Sequence, residues 1–159
     1  MKITEVNKGR MVLSNDPDEN LRAQSLGCCL ALCVHDPATK ISAMGVVVLP
    51  KVPEGADHVD LPLMEPVGGL SQLFKELLAA GARKEDMKVS LVGAARFLSE
   101  PQEIDFGVQL YKLVRKILAK NGIQIVSEHV GGPFNRTVEM NVGTGEVKLV
   151  LGGIKEVKL

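Results

Sequence analysis

Short apolar runs broken by turn residues fill the first fifty positions, and helical spacing appears only further on. Arg10 to Ser14 is one β-like run. Cys28 to Val34, written CCLALCV, is nearly all apolar, and Asp36-Pro37 marks a turn after it. Lys40 to Leu49 follows and contains three consecutive valines, so the two runs predict a buried hairpin. The stretch Pro50 to Pro66 is rich in proline, glycine and acids, and reads as a long surface loop, a class that is often functional. Beyond it, Leu70, Leu73, Phe74, Leu77 and Leu78 recur at three- and four-residue steps. That spacing predicts a helix over Gly68 to Ala80 with one apolar face, stopped near Gly81. Lys88 to Ala94 is a strand candidate. Gln102 to Asn121 predicts a second helix, with Phe106, Leu110, Leu113, Val114, Ile117 and Leu118 inward. Ile123 to His129 is a strand. Arg136 to Val142 and Glu146 to Leu151 form a second hairpin across Gly143, Thr144 and Gly145. The expected fold is α+β, with mixed sheets, two main helices packed outside them and one domain over residues 1–159.

Composition narrows the function classes. The 159 residues are 45% hydrophobic and 24% charged, which is globular and excludes disorder as the main reading. Nineteen basic residues balance nineteen acidic ones, so the footprint of a nucleic-acid module is missing. Aromatic residues are 3% of the chain and tryptophan is absent, which disfavours base stacking. No apolar run is long enough to span a membrane, and residues 1–10 lack the apolar core of a signal peptide. A cytoplasmic protein without membrane insertion is expected.

Three cysteines lie within six residues: Cys28, Cys29 and Cys33. Their spacing, with the histidines scattered at 35, 58 and 129, does not fit a zinc site, and neither metal nor cofactor is expected. Ser25-Leu26-Gly27-Cys28-Cys29 leads directly into an apolar strand. A thiol after a glycine turn sits on a rigid element, beside backbone N–H groups able to face an oxyanion. The competing reading is a buried cysteine acting as a small hydrophobe, and Cys33 is read that way. A cysteine nucleophile also needs activation, most often by an imidazole. His35 lies a strand length away, about 20 Å at ~3.3 Å per residue. His58 is in the long loop, and His129 ends a strand just before Gly131-Gly132.

The stretch Leu26 to Pro50, LGCCLALCVHDPATKISAMGVVVLP, resembles the signature of the CheD family of chemotaxis proteins. That signature runs Leu-Gly-Ser-Cys, an apolar strand, Asp-Pro, then Gly-Ala-Met-x-His and Leu-Pro. Val92-Gly93-Ala94-Ala95 is similar to the family's Gly-Gly-Ala segment. Gly131-Gly132 with Asn135-Arg136-Thr137-Val138 is similar to its Gly-Gly…Arg-Ser/Thr-Val segment. The resemblance implies a protein-glutamine deamidase. A thiolate attacks the side-chain amide of a chemoreceptor glutamine, ammonia leaves from an acyl-enzyme, and water releases glutamate. It also implies a cysteine-hydrolase fold and two partners: a chemoreceptor cytoplasmic domain and CheC, a phosphatase of the response regulator CheY.

Carried over by position, the nucleophile is Cys29, with Cys28 in place of the serine. The histidine position is Val46 and the threonine position is Ala23. Phe106-Gly107-Val108-Gln109-Leu110 replaces the usual Ile-Gly-x-Arg-Asn. The chain therefore keeps the thiol and lacks both matched partners. Three readings follow. One is a deamidase with a relocated base, His129 or His58. Another is a non-catalytic adaptor for a CheC-type phosphatase or a chemoreceptor. The last is a redox sensor built on Cys28 and Cys29.

Overall fold

The computed structural model describes residues 1–52, 61–96 and 105–159. Among these, the elements are β1 (Lys2–Glu5), β2 (Met11–Ser14), β3 (Glu19–Ala23), β4 (Leu30–Asp36), β5 (Ile41–Val47) and α1 (Pro66–Ala79). A 3₁₀ turn (Lys84–Asp86) follows, then β6 (Lys88–Gly93), α2 (Phe106–Lys120), β7 (Gln124–Val130), β8 (Arg136–Asn141), β9 (Val147–Leu151) and β10 (Lys155–Lys158). One sheet has the order β1-β3-β8-β9-β10 and the other β2-β5-β4-β6-β7. Each is mixed: β1 runs parallel to β3 and β6 parallel to β7, and the remaining neighbours are antiparallel.

The apolar pattern explains the layering. In β4, Leu30, Leu32 and Val34 pack with α1 and α2 residues such as Leu73 and Leu110. The alternate residues Ala31 and Cys33 pack with Leu21, Val138 and Leu149 of the other sheet. A strand covered on both faces reads as a continuous apolar run, which is the pattern of LALCV. β3 and β8 bury alternate residues only, so they read as half-polar. The layers are therefore helices, central sheet and outer sheet, with the helices outside as expected.

The hairpin of β4 and β5 pairs Leu30 with Val47 and Asp36 with Ile41 around the Asp36-Pro37 turn. Several boundaries differ from expectation. β4 begins at Leu30, so Cys28 and Cys29 belong to the preceding turn. α1 starts at Pro66, because the Glu65 carboxylate accepts from the Val67 and Gly68 N–H groups and caps it there. Residues 102–104 of the predicted second helix lie outside the described residues, and Asp105 caps α2 through the Val108 N–H. The end of the presumed surface loop is anchored instead. Leu63 is fully buried, its N–H donates to the Gly9 carbonyl at 2.9 Å, and its carbonyl accepts from Val48 at 3.3 Å. Two residues assigned to inner helix faces are on the outside, Leu78 at 49% exposure and Phe106 at 41%. Helical spacing gives an apolar arc wider than the strip that touches the sheet. β1, β3 and β10 are too short and too charged to stand out by alternation.

Candidate functional site

The turn before β4 is held by residues more than a hundred positions away. Ser25 N–H donates to Thr137 Oγ1 at 3.2 Å, Leu26 N–H to the Arg136 carbonyl at 2.9 Å, and Gly27 N–H to Asn135 Oδ1 at 3.4 Å. The end of β6 closes the other side. Ala94 N–H donates to the Cys29 carbonyl at 2.8 Å and Ala95 N–H to the Gly27 carbonyl at 3.0 Å. Gly93 has φ +122, and a methyl group there would overlap the Cys29 carbonyl, so only glycine allows this approach. Ser25 and Ala94 flank the thiol at φ 50 and 52, a left-handed conformation unusual for side-chain-bearing residues.

These bonds bear on the expected oxyanion donors. Gly27 N–H is taken by Asn135, and Cys29 N–H donates to the Leu26 carbonyl at 3.0 Å. Cys28 N–H has no partner among the described residues.

Cys29 itself is 5% exposed, while Cys28 is half-buried. Cys29 belongs to the apolar cluster between the sheets, together with Val6, Ala23, Leu26, Val46 and Val92. Ala23 and Val46, the positions matched to the family's threonine and histidine, are thus buried in the same cluster as the thiol. Neither carries a lone pair. Burial pushes the Cys29 thiol above its ordinary range, the Cys28 thiol adds to this, and Lys8 pulls weakly the other way. Cys33, enclosed within the same cluster, is pushed up to about 12 by burial, as its reading as a core residue requires.

The histidines are engaged elsewhere. His129 lies on β7, paired with Val92 of β6, so two strand spacings, about 9–10 Å, separate it from the line of β4. Its Nδ1 accepts from Arg136 Nε at 2.9 Å. A neutral ring bonded this way carries its proton on Nε2 and has no lone pair left for a thiol. Burial and then Arg136 hold its pKa below the usual value. His35 sits at the far end of β4, with Nδ1 2.7 Å from Ser42 Oγ, which donates to the Val142 carbonyl at 2.8 Å. His58 lies outside the described residues. Among the described residues, no hydrogen bond joins an imidazole to Cys29, and no three His, Cys, Asp or Glu side chains converge as a metal site would need.

Arg136, matched in sequence to the family's Arg-Ser/Thr-Val segment but given no role there, is a central residue of the site. It is 1% exposed and forms no ion pair among the described residues. Its guanidinium bonds His129, the Gly93 carbonyl at 3.0 Å, the Phe134 carbonyl at 3.3 Å and the Gly131 carbonyl. The sequence places Arg136 in a strand. Only the stacking of two sheets shows that it braces both the end of β6 and the cysteine turn.

The family model described as CheD chemotactic sensory transduction matches residues 49–150. The chain is 32% identical over 150 residues to the probable chemoreceptor glutamine deamidase CheD of Symbiobacterium thermophilum, covering 92% of this chain and 90% of that one. It is 33% identical over 138 residues to the chemoreceptor glutamine deamidase CheD of Thermotoga maritima, covering 83% and 85%. Among solved structures, the hypothetical protein YfiH of Bacillus licheniformis superposes with a TM-score of 0.49 at 12% identity, over 77% of this chain and 49% of that one. No described helix is long and apolar enough to cross a membrane. With a family match over most of its length and relatives at about one-third identity, this chain belongs to the CheD family of chemotaxis proteins.

Proposed function

We propose that this protein serves chemotaxis by binding rather than by catalysis, as a cytoplasmic CheD-type adaptor for a chemoreceptor cytoplasmic domain or a CheC-type phosphatase. The observation that carries this reading is the state of Cys29. Its thiol is enclosed among Ala23, Leu26 and Val46, and burial favours the protonated form. A thiol held protonated is a weak nucleophile, and loss of an imidazole base removes a contribution of about 10²–10⁴-fold. The relatives named as chemoreceptor glutamine deamidases support the alternative of an active enzyme, which in this chain would use Cys29 with His129 or His58 as the base.

The test needs no substrate at first. In a Cys28→Ser, Cys33→Ser background, the rate of Cys29 alkylation by iodoacetamide is followed against pH. The adaptor reading expects slow alkylation at neutral pH, with a half-rate point above ~8.5, and no conversion of glutamine to glutamate in a chemoreceptor cytoplasmic fragment by mass spectrometry. It also expects that fragment, or a CheC-type phosphatase, to bind at micromolar concentration. A half-rate point well below that of a free thiol, together with receptor deamidation lost in Cys29→Ser, would establish the enzyme instead. Replacing His129 and His58 in turn would then identify the base.

A further inference from the structure

The helical layer carries a groove that neither the cysteine turn nor the core explains. It has a volume of about 370 Å³ and runs between α1 and the C-terminal part of α2. Leu70 and Ile123 form its buried floor. Phe74 and Ile117 are half-buried walls, and Leu78 stands at the rim at 49% exposure, with Val67 at 63% near the start of α1. The groove lies across the central sheet from Cys29. It is also at the opposite end of that sheet, where β6 and β7 begin rather than where they end.

Its charge has one sign. Lys75 and Lys84 line it, no aspartate or glutamate does, and neither lysine forms an ion pair among the described residues. We infer that this groove docks a single amphipathic helix of a partner protein, with apolar residues facing the groove and acidic residues flanking them. Both parts of that description follow from the lining. A furrow between two helices accepts a third through residues at i, i+3, i+4 and i+7. Two lysines at the edge with no ion-pair partner among the described residues favour carboxylates on its flank and reject a basic helix. A second copy of this chain fits less well, because a two-fold contact would set the same lysines against each other. A flat bilayer does not enter a concave slot.

The inference rests on the binding reading above and supplies it with a surface. Fluorescence anisotropy uses a labelled helical peptide of about 20 residues (~30 Å long) with a leucine face flanked by glutamates, and a counterpart with lysines for glutamates. The Leu/Glu peptide is expected to bind the wild type about tenfold more tightly than the Leu/Lys peptide. Lys75→Glu with Lys84→Glu should invert that order, and Leu78→Glu should weaken both by about tenfold. These positions are exposed, so the variants should melt as the wild type does. Equal binding of the two peptides, or no change in the variants, overturns the inference. So does a dimer that Leu78→Glu dissociates, or binding to anionic phosphatidylglycerol vesicles that the lysine pair controls. A chemoreceptor fragment or CheC-type phosphatase that binds the wild type and the groove variants equally also overturns it, and leaves the adaptor reading standing. If no partner binds the wild type, the adaptor reading fails, while the peptides still judge the groove.

Discussion

Arg136 is a buried guanidinium held by carbonyl groups and a histidine rather than by a carboxylate. Removing it leaves the part-buried carbonyls of Gly131 and Phe134 without that donor, while the Gly93 carbonyl keeps the Gly131 N–H at 3.0 Å, and an unpaired buried group costs about 1–3 kcal/mol. Arg136→Met is therefore expected to lower the unfolding free energy by roughly 1–3 kcal/mol. Urea unfolding checks this. In the same variant the His129 pKa should rise, because Arg136 is one of the two main influences holding it down, and an NMR titration of the ring would show the shift. An unchanged His129 titration would mean that burial alone sets it. Val46 and Ala23 are as informative as Arg136. Matched by position they stand where the family has its histidine and threonine, and the structure buries both in one apolar cluster with Cys29.

The strands β4 and β6 meet the cysteine turn at a single tight point. Gly93 ends β6, pairs with Leu30 and brings its backbone against the Cys29 carbonyl. Gly93→Ala would combine an unfavourable φ with a clash against backbone, which cannot give way as a side-chain tip can. A loss of about 3 kcal/mol or more is expected, with Cys29 becoming faster to alkylate as the turn loosens. A variant as stable as the wild type, with unchanged alkylation, would show that the contact is dispensable. The strands and helices themselves were largely legible. The apolar run of β4, the Asp36-Pro37 turn and the periodicity of α1 and α2 each reflect a local rule. The edge strands β1 and β10 were not legible, because each has one neighbour and few buried positions. Leu78 and Phe106 were misread because period alone does not say how wide a strip the neighbouring layer covers.

The packed layers also set how the whole protein responds to acid. Burial, with nearby Lys40 and Lys88, lowers the His35 pKa, and burial with Arg136 lowers that of His129. Both rings bind protons more readily when unfolded. Their contribution is present above about pH 6.5 and is lost as pH falls through their folded values. Burial raises Asp36, but N–H groups of Arg83, Ala38 and Thr39 outweigh it. Burial likewise raises Glu19, and bonds from Ser14, Thr4 and Lys2 outweigh that. These carboxylates stabilise the fold above about pH 4 and lose that effect below it. Urea unfolding is therefore expected to weaken in two steps, one below pH ~6.5 and one below ~4. Asp36→Asn should be destabilised at neutral pH and should converge on the wild type at the lowest pH. A gap that stays constant would contradict the assignment to Asp36. Fold class, the main elements and family membership were all readable from residue order, because burial periodicity and motif spacing are properties of neighbouring positions. Residue order left the state of the thiol open. Whether Cys29 meets a base or a wall of methyl groups depends on strand register and on how two sheets stack. Those bring Cys29 together with Ala23, Val46, Gly93 and the bracing strand at Arg136, across separations that no local pattern records.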